Sequence, residues 1–293
     1  MKRKRQKKFF LFGAFLGLVV LFFLGLIWLK FNYHIIKVNP SIQTRTATES
    51  AFGKAVALAK KKAEEEAKKQ EAERQFMATY GPCYWLPILM YHHIDNKAGG
   101  LYVDPTTFAS QMDYLIGKGY TTTSLPEIAS LLSSGQVPSK IVALTFDDGY
   151  RDFYINAYPI LRQRNLKATV FLITQLMEGN DYLTWEETRE LAGNPLITIG
   201  DHTLDHKILS SLPVDQIKNE ITASKGIIES QINKTVNTFA YPYGGYNQTA
   251  INDLSEAGFV AAVTTQYGNQ CIKLPLTLRR IRIGRVSLSS YGL

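Results

Sequence analysis

Histidine and cysteine are scarce in this 293-residue chain, which has five of the first and two of the second. The two cysteines, Cys83 and Cys271, allow one disulfide at most and exclude a disulfide-built scaffold. Neither reads as a nucleophile. The first eight residues contain no acid, and no charge interrupts the 21 positions from Phe9 to Leu29. Apolar heptads are not sustained, which sets aside a coiled coil, and no internal repeat or second globular domain is visible. The formal charge of +8 is not a nucleic-acid signal. Six of those charges are Lys2, Arg3, Lys4, Arg5, Lys7 and Lys8, which leaves +2 for everything else. No nucleic-acid partner is expected.

What is present begins with topology. As a helix the uncharged run is about 31 Å long at roughly 1.5 Å per residue, which matches the hydrocarbon core of a bilayer. Basic residues ahead of it keep 1–8 in the cytoplasm and send all that follows Leu29 outside. The rival reading, a cleaved signal peptide, has a shorter apolar region ending at small residues. Here Trp28-Leu29-Lys30-Phe31-Asn32-Tyr33 is bulky. The expectation is a single-pass protein of the cell membrane: a basic cytoplasmic tail at 1–8, a transmembrane anchor at 9–29, and an extracellular remainder.

Residues 30–79 read as an extracellular linker and helical stalk. From Glu49 to Ala78 the composition is Ala, Lys and Glu, strong helix formers with acid and base one turn apart. Across 80–293 short apolar runs alternate with amphipathic stretches. Strands are expected at Leu86–Tyr91, Tyr120–Thr123, Ile141–Phe146, Ala168–Ile173, Leu196–Gly200, Thr238–Tyr241, Val260–Thr264 and Arg280–Arg285. Helices are expected at Thr106–Ile116, Leu125–Leu132, Phe153–Arg164, Trp185–Leu191, Val214–Ile232 and Gln248–Ala257. Ile217, Ile221, Ile228 and Ile232 make a one-sided stripe. This alternation implies an α/β fold with a parallel sheet, and seven or eight repeats imply a distorted (β/α)7-8 barrel.

The chemistry-bearing segments fall at C-terminal strand ends, the face where α/β barrels keep their active sites. Tyr91-His92-His93 ends the first strand and Asp147-Asp148-Gly149 ends Ile141–Phe146. Asp201-His202-Thr203-Leu204-Asp205-His206 follows Leu196–Gly200, and Tyr241-Pro242-Tyr243-Gly244-Gly245 ends the strand from Thr238. Two adjacent carboxylates repel unless a cation or a proton relieves them. Two histidines four apart on a helical turn, with one carboxylate, offer a divalent metal two imidazoles and an oxygen. The second carboxylate is then free to act as a base. Four of the five histidines lie in these segments; His34 stands apart and is assigned no role.

Thr145-Phe146-Asp147-Asp148-Gly149, His202-Thr203-Leu204-Asp205-His206 and Tyr241–Gly245 together resemble the polysaccharide deacetylases. These are metal-dependent carbohydrate esterases with a distorted α/β barrel, the NodB homology domain. The resemblance covers about Leu86 to Arg285. It implies Asp147 as general base and Asp148, His202 and His206 as metal ligands. Pro242, Tyr243 and Gly244 are placed at the substrate oxyanion through backbone N–H groups of the turn. The implied cofactor is a divalent metal, zinc foremost, with cobalt, nickel and iron also suiting the donors. The implied partner is an acetylated polysaccharide. The implied reaction is removal of N-acetyl groups from an N-acetylglucosamine-containing exopolysaccharide or cell-wall polymer. An O-acetyl esterase acting on xylan or wall glycans uses the same chemistry, and a glycan-binding protein without catalysis is the reading from another class.

Two departures from the family pattern matter. Many members take the general acid from a C-terminal histidine, and no histidine follows His206 here. His92 is the expected acid, with His93 as backup. The Tyr91-His92 arrangement resembles the branch that deacetylates poly-N-acetylglucosamine. Many members also brace the base with an arginine where Ala240 stands, so a brace is either missing or comes from Arg280 or Arg282. Trp185 lines the groove or packs in the core, and Tyr241, Tyr243 and Tyr246 face sugars or serve structure.

Overall fold

A computed structural model describes residues 25–30 and 45–293. Residues 25–30 are helical; the rest of the expected tail and membrane anchor lies outside the described residues. No helix among the described residues is long and apolar enough to cross a membrane. The chain divides into two units between Ala72 and Glu73. The expected Ala-Lys-Glu helix is Arg45–Tyr80, and its described side chains from Gly53 onward are exposed. A composition without an apolar face dictates that exposure.

All eight expected strands form, most of them shorter than the sequence suggested. They are β1 (Ile88–Tyr91), β2 (Thr121–Thr122), β3 (Ile141–Phe146), β4 (Ala168–Leu172), β5 (Ile197–Asp201), β6 (Thr238–Ala240), β7 (Ala261–Val263) and β8 (Ile281–Arg282). They run parallel in the order β7-β6-β5-β4-β3-β1-β8, with β2 also paired to β3. The sheet is a curled parallel half-barrel. Its edges approach where Leu278 N–H donates to Ala262 C=O and Thr264 N–H donates to Leu278 C=O, both at 2.8 Å. The contact is one isolated parallel bridge, Val263 to Leu278, between β7 and the segment that precedes β8.

Period-two alternation divides the core. Ile88, Ala143, Phe171, Ala240, Ala261 and Val263 cluster with Leu125, Ile128 and Leu132 of the helix Leu125–Ser134. The intervening residues, among them Leu89, Leu144, Val170, Ile199 and Phe239, pack with the other helices. The stripe Ile217, Ile221, Ile228 and Ile232 is buried as its spacing requires. Each such aliphatic side chain stabilises the fold by about 1.5–3 kcal/mol. Local signals set the helix starts. Asp104 accepts from Thr107 N–H (2.8 Å) with Pro105 at the first position, and Ser124 and Glu127 form a capping box. The expected helix Phe153–Arg164 is instead a π-helical turn, Phe153–Ala157, followed by Tyr158–Gln163. Pro159, which has no N–H to donate, follows the widened turn.

Cys83 and Cys271 form a disulfide and lie opposite one another in a short antiparallel pair of strands. The bridge closes a loop of 188 positions. Replacing both cysteines by serine should lower unfolding stability by about 2–5 kcal/mol. Urea unfolding with and without reductant checks this, and reductant should leave the double variant unchanged.

Candidate active site

Parallel register decides which side chains meet. Tyr91 stands opposite Phe146, so β1 and β3 deliver His92 and Asp147 side by side. Asp147 N–H donates to Tyr91 C=O (3.0 Å), and His92 Nε2 lies 4.0 Å from Asp147 Oδ2. His93 takes the opposite direction, as strand alternation requires. Its Nδ1 is 2.6 Å from Asp152 Oδ2, and its ring is stacked between Tyr102 and Tyr150. His93 does not join the group around Asp147.

The two neighbouring carboxylates have unlike surroundings. Arg280, only 1% exposed, grips Asp147 through two parallel bonds, Nη1 to Oδ1 and Nη2 to Oδ2, each 2.6 Å. The guanidinium is itself held by Thr145 Oγ1 (3.1 Å) and Thr264 C=O (2.8 Å). Of the alternatives for a brace, Arg280 is the one realised; Arg282 is exposed. Burial pushes the Asp147 carboxyl up, the Arg280 guanidinium outweighs it, and the group ends below its ordinary range. Burial drives His92 down, against a smaller opposing pull from Asp147.

Asp148 faces the other way. Its Oδ1 is 3.3 Å from His202 Nε2 and 3.4 Å from His206 Nε2. One ligand atom from each of the three residues lies within 4.8 Å of the others. Asp148 Oδ1 is buried, and neither imidazole is aligned to donate to it. His202 Nδ1 sits 2.6 Å from Ala240 C=O. A carbonyl only accepts, so Nδ1 carries a proton and Nε2 is the atom left to meet a cation. An orphaned carboxylate oxygen among imidazole nitrogens fits a divalent metal. Burial drives His202 down, but Asp148 and Asp147 outweigh it and raise the group. A proton and a metal cation compete for the same place.

The segment after β5 corrects an expectation. His202 and His206 do not share a helical turn; the chain leaves β5 as a loop. Buried Asp201 organises it, Oδ1 accepting from Thr203 N–H (2.9 Å) and Oδ2 from Ser224 Oγ (2.8 Å). Burial pushes Asp201 up to about 7. Glu220 accepts from Leu204 N–H (3.0 Å), and Thr203 Oγ1 from His206 N–H (3.0 Å). Thr203 and His206 have φ of 71° and 65°. Asp201-x-Thr203 carried an Asx-turn signal that sequence reasoning passed over; Ser224 and Glu220 carried none. Gly200 makes room beneath the loop, because a Cβ there would collide with the Phe171 ring.

In the Tyr241–Gly245 turn, Gly244 N–H donates to Tyr241 C=O (2.8 Å) and Gly245 N–H to Pro242 C=O (3.0 Å). Pro242 has no N–H, so neither Gly244 nor Pro242 offers the expected oxyanion donor. Tyr243, at φ 56°, is 66% exposed with its ring 4.7 Å from that of His206. Tyr241 is buried and donates to Leu276 C=O (3.0 Å), with Tyr246 against it. Tyr241 is therefore a core residue. Trp185 is partly buried against the core.

A curled parallel half-barrel with this cluster at its C-terminal strand ends defines a class, and the chain belongs to the polysaccharide deacetylase family. Residues 134–262 match that family. The Bacillus subtilis (strain 168) protein YxkH, assigned to the polysaccharide deacetylases, is 35% identical over 235 residues, 79% of this chain and 83% of that one. The poly-beta-1,6-N-acetyl-D-glucosamine N-deacetylase of Staphylococcus aureus (strain MSSA476) is 28% identical over 170 residues, 53% of this chain. The chain spans 58% of that relative's length. Among solved structures, the Streptococcus pyogenes deacetylase PplD in complex with acetate superposes with a TM-score of 0.68 at 32% identity, covering 72% of this chain and 98% of that one.

Removing one partner of a buried ion pair leaves the other charge uncompensated. Arg280→Met should cost about 3–5 kcal/mol of stability, measured by denaturant unfolding at pH 7. The sign with pH follows from Asp147. Its folded pKa lies below the unfolded value of about 3.9, so the pair stabilises above that pH and is lost as pH falls through the folded value. The deficit of Arg280→Met should therefore shrink on acidification, and Asp147→Asn in the same chain should recover part of it at pH 7.

Proposed function

We propose that this chain is a membrane-anchored, outward-facing, metal-dependent N-deacetylase of an N-acetylglucosamine-containing polysaccharide. The observation that carries the reading is the division of labour between two adjacent carboxylates. One is clamped by an arginine beside a histidine; the other keeps a buried oxygen without a hydrogen bond between two histidines. The poly-N-acetylglucosamine deacetylase among the relatives supports the substrate class. The acetate held by PplD is a product of such a reaction. The disulfide supports an oxidising, extracytoplasmic location.

Asp148, His202 and His206 would hold the metal, zinc suiting two imidazoles and one carboxylate. When bound it supplies Lewis acidity to the acetyl carbonyl and acidifies the attacking water. The remaining steps belong to the chain's own groups. Arg280 keeps Asp147 ionised and fixes its plane, while each carboxylate oxygen retains a second lone pair. Asp147 takes the proton of the attacking water through one of these. The Tyr243 N–H, which takes no part in the Gly244 and Gly245 bonds of its turn, would meet the developing oxyanion. His92, beside Asp147, gives a proton to the departing sugar nitrogen as the C–N bond breaks, and acetate and a free amine result.

Acetate release from N-acetylglucosamine oligomers, measured with and without added zinc or cobalt, tests the reading. A folded protein that releases none under either condition overturns it. Asp147→Asn should lower turnover by at least about a thousandfold, in the range of a lost general base and its positioning. Its bound metal, read by atomic absorption, should be nearly unchanged. His202→Ala should lower both metal content and turnover, and chelation should do the same to the unmodified enzyme.

A further inference from the structure

A cavity of about 620 Å³ lies away from the ligand trio, beside the Cys83–Cys271 disulfide. Its size is that of a small-ligand site. Phe76, Tyr80 and Tyr246 contribute rings, Asn269 and Thr277 contribute polar atoms, and Arg279 contributes a guanidinium. Phe76 and Tyr80 meet edge to face at 5.0 Å. Among the described residues the Arg279 side chain has no hydrogen-bond or ion-pair partner, although its backbone is held by Gln270 through both N–H and C=O. The backbone is pinned and the charge is left uncompensated. Arg280 next to it makes four side-chain bonds, so the contrast lies within one dipeptide.

That guanidinium lies against the backbone of Gly268. Gly268 has φ +144°, and a Cβ there would fall 2.6 Å from Arg279 Nη1 and 3.0 Å from its Cδ. A side chain at this position would be strained by the backbone and would displace the guanidinium from this wall. Tyr267, the residue before it, is 65% exposed and pairs with Trp85, 42% exposed, at 5.9 Å between rings. Exposed aromatic faces beside a polar pocket suit the apolar faces of sugar rings. The cavity is tied to the candidate active site through Tyr246, three residues from Tyr243. At about 3.6 Å per residue the two Cα atoms are within about 11 Å of one another, the reach of a short oligosaccharide.

We propose that this cavity is a distal glycan subsite that binds an anionic substituent, a carboxylate or a phosphate, on the polymer whose acetamide is hydrolysed at the metal. The inference rests on the proposed activity for the identity of the polymer, and on the cavity alone for the charge. Arg279 grips the anion with its planar fork, Asn269 and Thr277 complete the polar contacts, and the rings carry the sugar. An uncharged polymer leaves the guanidinium without a partner and binds less tightly.

Calorimetric titration of the full chain at fixed ionic strength tests this with three probes. They are a neutral N-acetylglucosamine pentasaccharide, the same oligomer with one lactyl ether carboxylate, and the same oligomer with one phosphate. One or both charged probes should bind about tenfold more tightly than the neutral one, the scale of one charge-assisted contact. The tighter of the two identifies the source of the anion. Arg279→Gln should erase the difference, Arg279→Lys should keep part of it, and Gly268→Ala should weaken it by displacing the guanidinium. Equal affinity for all three probes, a preference that survives in Arg279→Gln, or no binding of any probe overturns the subsite. Acetate release without charge-dependent binding removes the subsite and leaves the deacetylase reading standing. Charge-dependent binding without acetate release does the reverse.

Discussion

A guanidinium buried against a carboxylate is the constraint on which the site depends. Asp147 and Asp148 are consecutive and both nearly inaccessible to solvent, so each negative charge needs its own compensation. Arg280 supplies one from 133 residues further along the chain. That frees the neighbouring carboxylate to turn toward the two imidazoles. The pair also joins the segment entering β8 to the tip of β3, so the last strand of the sheet is tied to the site it completes. Ion pairs buried in this way contribute little net stability, because desolvation offsets attraction. What they contribute here is direction, since a fork of two parallel bonds fixes the plane of the carboxylate.

The second constraint is backbone strain held where the chemistry lies. Eight non-glycine residues among those described have positive φ, and four of them are Asp148, Thr203, His206 and Tyr243. Each such conformation costs about 1–3 kcal/mol and persists only where surrounding contacts enforce it. The contacts are visible: Asp201 and Ser224 below the loop, Glu220 on Leu204, and Thr203 on the His206 amide. These polar groups spend their hydrogen bonds on loop geometry. Two imidazoles from a non-helical loop are thereby brought to one oxygen atom.

The disulfide region adds a second area of chemistry to the same domain. Arg279 and Arg280 are adjacent, yet one faces the closed interior and the other an open cavity. Alternation along an extended segment separates them. In the proposed reading one dipeptide serves both ends of the substrate path, the acetamide through Asp147 and the anionic substituent through Arg279.

Much of this was legible in the residue order. Alternating apolar runs and amphipathic stretches specified all eight strands and their parallel arrangement, because the periods of strand and helix are local properties of the chain. The strand-end position of Asp147, Asp148, His92 and the His202–His206 segment followed from the same pattern. The Ala-Lys-Glu composition specified an exposed helix. Only the tertiary structure decided which of Arg280, Arg282 or nothing braces Asp147, that His92 and not His93 lies beside it, that the Tyr241 ring belongs to the core, and that Cys83 meets Cys271. It also replaced the helical turn expected at 201–206 with a strained loop held by Ser224 and Glu220. The reason is the same in each case. These outcomes depend on strand register and on how the sheet curls, which bring together residues from 16 to 188 positions apart, and no local period in the sequence carries that information.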